Sequence, residues 1–180
     1  MHGIRGILGN EAFWGAIRHC VQENKGKIVE TSDFRKAIES ISGLDFERHF
    51  EEWLEKPGYP IYEASYSWLD EEKRAPLKIK QTNAHSNDVP LFSNPIEIRF
   101  SYADSSITNK IRMDEPSKIF EFILPSEPLN VSIDPSNWIL KDLNFEKPMK
   151  MFLYQISNDK NLIERIRACE VAKSREDEAI

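Results

Sequence analysis

Residues 51–65, EEWLEKPGYPIYEAS, decide the fold, because a helical spacing of apolar residues changes there to the alternation of a strand. Trp53 lies at the end of an apolar helix face, and Pro57 begins the Pro-Gly-Tyr-Pro segment that ends the helix. Pro60 holds its φ angle at about −65° and cannot continue a helix. Tyr62 then begins an alternating pattern. We interpret this stretch as a structural corner between two domains, and not as the rim of an active site.

Three amphipathic helices are predicted before the corner, because apolar residues recur there at helical spacing. Residues 31–33 would cap the second helix, which Gly43 would close, and Asp45 would cap the third. Residues 1–8 are predicted to be the tail of an earlier helix ended by Gly9. The apolar stripes are Phe13, Ala16, Ile17, Cys20 and Val21, then Phe34, Ala37, Ile38 and Ile41, then Phe46, Phe50, Trp53 and Leu54.

About six or seven short strands are predicted after Pro60, separated by clusters of Ser, Asn, Asp and Pro. No helical pattern interrupts them, so an antiparallel β-sandwich is expected. The inward residues of the first three are Tyr62, Ala64, Tyr66 and Trp68, then Leu77, Ile79 and Gln81, then Ile96, Ile98, Phe100 and Tyr102. The others are expected at 107–113, at Phe120, Phe122 and Leu124, and at Leu129, Val131 and Ile133.

Helical spacing returns near the end of the chain, where two amphipathic helices form a predicted antiparallel pair of HEAT-like type. Their stripes are Phe145, Met149, Phe152, Leu153 and Ile156, then Leu162, Ile163, Ile166 and Cys169. The fold class is therefore α+β: N-terminal helices, a sandwich and a helix pair. The predicted domains are 1–58, 59–140 and 141–180.

Composition narrows the possible partners. The 180 residues carry a net charge of −6, and the Lys and Arg residues are scattered among acids, which argues against nucleic acid as a partner. No apolar run approaches the ~20 residues that span a bilayer, and the N-terminus lacks a secretion-signal pattern. Cys20 and Cys169 lie far apart and need no disulfide. These features predict a soluble, cytoplasmic protein that does not bind membranes.

The histidines give no recognisable zinc motif. His-Glu-x-x-His is absent, and His2, His19, His49 and His85 are never within four residues of one another. His49 follows Phe46 on an apolar helix face and is predicted to be a hydrogen-bonded residue at the edge of the core. His85 lies in a polar loop and is expected to be solvated. A zinc site assembled from His19, His49 and His85 remains a minor alternative.

Other candidate catalytic groups also favour structural roles. Carboxylate pairs such as Glu51 and Glu52, or the acidic run 70–72, catalyse only in a cleft that shifts one pKa, and solvated faces are expected instead. Cys20 falls on an apolar stripe, which predicts a core thiol rather than a nucleophile. Tyr59 is assigned to the turn. No catalytic or metal-binding residue is assigned, and substrate-binding residues stay unknown.

The order of the parts resembles a known family. The stretch ILGNEAFWGAIRHCVQENKGKIVETSDFRKAIESISGLDFERHFEEWLEKPGYPIYEASY resembles the end of the catalytic domain of M1-family zinc aminopeptidases, the aminopeptidase N group. LKIKQTN and VSIDPSNWILKDLNFEK resemble strands of that family's sandwich, and MFLYQISNDKNLIERIRACEVAK its first C-terminal helix pair. The matching motif positions are Leu8, Gly9 and Phe13, then Thr31 and Phe34, then Phe50 and Trp53, then Gly58, Tyr59 and Pro60.

The resemblance implies a parent enzyme in which zinc activates a water that releases N-terminal amino acids from peptides. The family's His-Glu-x-x-His, its substrate loop and its transition-state Tyr would all precede Met1, and none maps onto this chain. We therefore expect a non-catalytic fragment, inactive alone and without a cofactor of its own, whose sandwich spaces the catalytic and helical domains. The alternative is a stand-alone interaction or scaffold module of M1-like ancestry.

The expected partners follow from the fragment interpretation. They are the remainder of the aminopeptidase chain and, for the parent enzyme, a peptide substrate. Removing the rest of such a protein would expose the apolar stripes of the first helices and one side of the final helix pair. Self-association through this surface is therefore expected.

Overall fold

The computed structural model describes residues 1–84 and 88–177, with side chains described as far as residue 174. A helical region, seven strands and a final helix pair follow one another along the chain, as the sequence predicts. The helices are α1 (His2–Glu23), α2 (Thr31–Ser42), α3 (Glu47–Phe50) with a π-helical continuation (Glu51–Glu55), α4 (Met149–Asn158) and α5 (Leu162–Asp177).

The strands form two sheets that face each other. They are β1 (Ile61–Tyr66), β2 (Arg74–Gln81), β3 (Asn94–Ser101), β4 (Ser106–Met113), β5 (Ser117–Ile123), β6 (Asn130–Ile133) and β7 (Asp142–Glu146). One sheet has the order β5-β2-β1-β7 and the other β4-β3-β6. All pairings are antiparallel except that of β1 with β7, which is parallel. The α+β class and the predicted sandwich are thus confirmed, with one parallel pair added.

The alternating residues of β1, β2 and β3 fill the space between the sheets. Tyr62, Leu77 and Phe100 are fully buried there. Gln81 continues the inward row of β2, and its buried side-chain amide donates to the Pro90 carbonyl (2.9 Å) and accepts from the Phe92 N–H (3.1 Å). A second core lies among the N-terminal helices. Its buried members include Phe13, Ala16, Ile38, Phe46 and Phe50. The predicted helix and strand faces therefore form two separate apolar cores.

Glycines end or break the N-terminal helices where the sequence places them. Gly9 has φ 79° and ψ 172° and interrupts α1. Gly43 adopts the left-handed conformation (φ 69°) directly after α2. The N-terminus of α2 differs from the prediction: Glu30 precedes the helix, and its side chain and that of Asp33 form a reciprocal capping box.

Several predicted apolar positions are wrong. Phe145 lies in β7 and not in a helix, because its segment pairs with β1. The sheet therefore continues as far as residue 146. Among the α5 side chains up to residue 174, Glu164 and Ala168 are buried, whereas the predicted stripe faces solvent. The residues of the predicted stripes that are exposed are Val21, Ile41, Leu54, Leu129, Leu153, Leu162, Ile163, Ile166 and Cys169.

Within residues 1–84 and 88–177, no helix combines the length and the apolar character that crossing a membrane requires.

Candidate functional site

A groove of about 730 Å³ lies where the three regions of the chain meet. Its walls come from the first turns of α1, from α3 and its π-helical continuation, from β3 and β4, from the connection between β6 and β7, and from α5. The apolar side chains lining it include Phe50, Trp53, Leu54, Trp138, Leu140 and Ile163. Its volume falls within the range of ligand-binding clefts.

Two tryptophans form fixed walls of the groove. The indole N–H of Trp53 donates to Asn94 Oδ1 at 3.3 Å, and its ring lies 4.6 Å from that of Phe92. Trp138 packs directly on the backbone of α1 at Gly6, where an added Cβ would come within 2.4 Å of the indole. A side chain larger than hydrogen at residue 6 would displace the ring. Both indoles are therefore held in place by the protein itself.

Asp134 organises the floor of the groove. It follows β6, is 2% exposed, and its carboxylate accepts hydrogen bonds from the N–H groups of Trp138 and Ile139, each at 3.0 Å. The ammonium of Lys141, itself buried, donates to the same carboxylate at 2.6 Å. A buried pair of this kind is stable only when its remaining hydrogen-bonding capacity is satisfied. The N–H groups of Trp138 and Ile139 fill the remaining acceptor positions of the Asp134 carboxylate, and these bonds fix the position of Trp138.

Most cations at the groove already have a carboxylate partner. Lys110 lies 3.4 Å from Glu97, and Arg167 lies 2.9 Å from Glu164. Arg112 differs: its Nε donates to Ser93 Oγ at 3.1 Å, and no carboxylate of the described residues lies within 4.0 Å of it. Among the described residues Arg112 therefore has no ion pair within 4.0 Å, although its charge acts on Asp114 at longer range.

His49 lines the groove, as an aromatic packing residue. Its ring lies 5.6 Å from Phe46 and 6.0 Å from Trp53. Burial, reinforced by the nearby chain amine and Arg112, lowers the pKa of His49 to about 4. The imidazole is therefore neutral at pH 7. Its predicted position at the edge of the core is confirmed, but the hydrogen bond predicted for it is not found among the described residues.

His2 also lines the groove, and its Nε2 lies 3.2 Å from the Asn137 carbonyl oxygen. His19 lies on α1 away from the groove, and His85 lies outside the described residues. Among the side chains that the structure describes, those of residues 1–84 and 88–174, no three His, Cys, Asp or Glu form a cluster that could hold a metal ion. The described side chains therefore do not fit a zinc ion, and no step is assigned to one.

Glu52 is predicted from the sequence to be solvated, and this prediction is wrong because the structure buries its side chain. It is 5% exposed, and it accepts hydrogen bonds from the backbone N–H of Ser93 at 2.9 Å and from Arg48 Nε at 2.5 Å. Because Ser93 immediately precedes β3, this carboxylate ties the π-helical segment to the sandwich. Glu52 lies in the π-helical turn with its side chain buried, which the charge pattern alone does not indicate.

Most of the remaining candidates have the structural roles expected from the sequence, but Cys169, predicted on an apolar stripe, does not. Cys20 is buried and unpaired, and Cys169 is exposed and unpaired. Asp70 is solvent-exposed, and its hydrogen bonds from Lys73 and Trp68 lower the pKa of its carboxyl. The Tyr59 hydroxyl donates to Asp142 at 3.1 Å, which raises the pKa of the phenol and ties the Gly-Tyr-Pro turn to β7.

Sequence reasoning missed a polar junction between the sandwich and the helix pair. Lys147 is 4% exposed, and its ammonium donates to Asn130 Oδ1 (2.7 Å), the Val131 carbonyl (2.8 Å) and Gln155 Oε1 (2.7 Å). Gln155 Nε2 continues to Glu164 at 3.3 Å. Burial lowers the pKa of Lys147 to about 7, against the opposing charges of Glu164 and Asp159. A lone lysine after a strand gives no signal of this burial.

The fold is that of a multi-part α+β protein, and comparisons with known proteins bear on its ancestry. No family model matches the chain. Aminopeptidase N of Lactococcus lactis subsp. lactis is 33% identical over 64 residues, which are 36% of this chain and 8% of that protein. Transcription initiation factor TFIID subunit 2 of Gallus gallus is 20% identical over 165 residues, covering 76% of this chain and 14% of that protein.

A solved structure shares the fold. The crystal structure of Legionella pneumophila aminopeptidase A in complex with aspartic acid matches 93% of this chain with a TM-score of 0.76 at 23% identity, over 19% of that chain. The chain spans between 8% and 19% of the length of these three relatives. The match to Aminopeptidase N, with the fold shared with the aminopeptidase A structure, supports an aminopeptidase-like ancestry.

Proposed function

We propose that this chain is a non-catalytic segment of an M1-like zinc aminopeptidase whose whole protein releases N-terminal amino acids from peptides. The main support for this proposal is the 33% identity to Aminopeptidase N over 64 residues. The fold shared with an aminopeptidase over 93% of the chain agrees with it. In this proposal zinc and the catalytic residues belong to the rest of the protein, and the site of action is the cytoplasm.

The contacts between the regions suit a rigid spacer. Glu52 joins the helical region to β3, and Lys147 joins β6 to α4 through bonds of 2.7–2.8 Å. Such bonds between buried groups are costly to break, because each would leave a polar group without a partner. We infer that the sandwich holds the catalytic domain and a HEAT-like helical domain at a fixed spacing.

Zinc analysis and an aminoacyl-anilide assay of the purified chain test this proposal. We expect less than stoichiometric zinc after dialysis against zinc-containing buffer, and no turnover above a buffer blank. An intact zinc aminopeptidase measured in parallel would control for both readouts. Stoichiometric zinc with anilide hydrolysis would overturn the non-catalytic assignment and revive a site using His19, His49 or His85.

A scaffold module of M1-like ancestry is the second candidate, favoured by the similarity to TFIID subunit 2, which extends over 76% of this chain. The genomic sequence upstream of the Met1 codon separates the two. An in-frame His-Glu-x-x-His would support the enzyme parent. A translation start mapped to Met1 would support the module.

A further inference from the structure

We propose that Lys147, acting through Gln155, is a proton-sensitive latch that holds the first turn of α5 against the sandwich. The ammonium form of Lys147 keeps the latch closed, and loss of its proton loosens α5. This inference does not depend on the proposed function, because it rests on contacts inside the chain. It adds that the spacing between the sandwich and the helix pair is fixed only while Lys147 is protonated.

The latch is a chain of hydrogen bonds that runs from β6 through α4 to α5. The three N–H groups of the Lys147 ammonium meet three acceptors, which are Asn130 Oδ1 (2.7 Å), the Val131 carbonyl (2.8 Å) and Gln155 Oε1 (2.7 Å). Gln155 Nε2 in turn donates to the side chain and to the backbone carbonyl of Glu164, each at 3.3 Å. Glu164 lies in the first turn of α5. One amide group therefore connects a buried cation to a buried carboxylate.

Each group of the latch is shielded from solvent. Lys147 and Gln155 are both 4% exposed, and Glu164 is 6% exposed. The rings of Phe145 and Phe152 lie 5.2 Å and 4.7 Å from the ammonium. Charges interact strongly in such surroundings, because little water screens them. The protonated amine therefore stabilises the carboxylate of Glu164 in its docked position.

Other charged groups lie on the elements that meet at Lys147, and most of them are held in ion pairs. Tyr66 of β1 stays neutral near pH 7, because burial raises the pKa of its phenol. Glu146 and Lys78 are exposed and line a shallow depression beside Lys147. The ion pairs are Glu164 with Arg167 (2.9 Å), Asp159 with Arg99 (3.2 Å) and Lys150 with Glu127 (2.8 Å). Lys147 differs from these cations because an amide group stands between it and the nearest carboxylate of the chain of bonds.

Loss of the Lys147 proton removes one N–H group and the positive charge. One of the three acceptors must then face the lone pair of the amine. If the Gln155 amide turns over to donate to that lone pair, its oxygen faces the Glu164 carboxylate, and the two repel each other. If the Asn130 amide turns over instead, the carboxylate still loses the charge that stabilises it. Both responses weaken the docking of Glu164 and of the first turn of α5.

The direction of the pH effect on α5 follows from linkage. Burial lowers the pKa of Lys147 to about 7, and the charge of Glu164 acts against this shift. Such coupling is reciprocal, so the proton on Lys147 favours the docked carboxylate. A state with α5 loosened and Lys147 still buried therefore becomes more populated as the pH rises. The globally unfolded chain binds the proton more tightly and becomes less populated over the same range.

Native-state hydrogen exchange of the ¹⁵N-labelled chain at pH 6, 7 and 8 tests the latch, with each protection factor corrected for the intrinsic exchange rate at that pH. We expect the protection of the α5 amides 165–168 to fall about 5-fold between pH 6 and pH 8. The amides of β2 and β3 exchange through global unfolding, and their protection should stay level or rise. If the α5 amides followed the strand amides, the proposal would be overturned.

Two variants break the latch at different points, and a third is the matched control. In Lys147→Met and in Gln155→Met, the α5 amides should already be about 5-fold less protected at pH 6 and should change little up to pH 8. Lys80→Met, an exposed change on β2, should keep the pH dependence of wild type. An equal fall with pH in Lys147→Met would assign the titration to another group and would overturn the proposal. The strand amides of each variant verify that its sandwich is folded.

Discussion

The Lys147 amine titrates in an unusual range, which gives the folded chain a specific pH dependence. Burial lowers its pKa from 10.5 to about 7, while the unfolded chain keeps the ordinary value. Between these two pH values the unfolded state binds more protons, so stability rises with pH. Replacement by Met keeps the stem and removes the titrating group. We expect the unfolding free energy of wild type minus that of Lys147→Met to grow by about 1.4 kcal/mol per pH unit above pH 7.

Urea unfolding at pH 6, 7, 8 and 9 under reducing conditions measures this difference. Below pH 7 the difference should be flat, because the amine is protonated in both states. Lys80→Met removes an exposed lysine, and its unfolding free energy should change with pH in parallel with that of wild type. If the unfolding free energy of Lys147→Met also changed with pH in parallel with that of wild type, the proposed titration of Lys147 would be contradicted.

Asp134 anchors the connection between β6 and β7 by accepting hydrogen bonds from two of its backbone N–H groups. Asp134→Asn is nearly isosteric, but it leaves the buried Lys141 ammonium without a counter-charge and weakens the bonds from Trp138 and Ile139. Breaking one side of a buried pair costs about 3–5 kcal/mol. We expect a loss of that size in urea unfolding.

Two control variants separate the cost of leaving the buried Lys141 ammonium unpaired from the effect of removing any one carboxylate. Adding Lys141→Met to Asp134→Asn should recover part of the loss, because no buried cation then remains. Asp70→Asn removes an exposed carboxylate that accepts from Lys73, and it should change stability little. If Asp134→Asn behaved like Asp70→Asn, the anchoring role of Asp134 would be wrong.

The strands were predictable where alternation extended over enough residues. β1, β2 and β3 bury every second side chain against the facing sheet, so composition and period indicate both the element and its face. β7 has only Leu143 and Phe145 as apolar residues, and Phe145 also fits the helical spacing that continues into α4. Its parallel pairing with β1 resolves this ambiguity, and that contact depends on residues about 80 positions away along the chain.

The groove and the junction could not be predicted, because spacing along one element carries no information about contacts between elements. Trp53, Arg112 and Trp138 come from three separate segments, and only the folded chain brings them to one surface. Glu52 and Lys147 are buried although their residue types are normally exposed. In both cases partners from distant segments satisfy the polar group, and the local sequence does not specify those partners.

The exposed apolar face of α5 has a consequence for the molecule as a whole. Leu162 and Ile166 are each more than half exposed, and Leu153 of α4 is exposed as well. Apolar surface of this kind favours association in water, against the repulsion between chains of net charge −6. We expect sedimentation velocity of the full chain to show an average mass that rises with concentration, and more steeply in higher salt, which screens the repulsion.

A charge-matched pair of variants locates the surface responsible. Leu162→Glu with Ile166→Glu places two acids on α5 and should shift the chain to monomer at every concentration. Ile119→Glu with Ile123→Glu adds the same charge on β5, where both isoleucines are exposed, and should leave the association largely intact because that face is not the one involved. Loss of association in both variants would assign the effect to net charge alone. A wild-type chain that stays monomeric throughout would show that the α5 face does not self-associate.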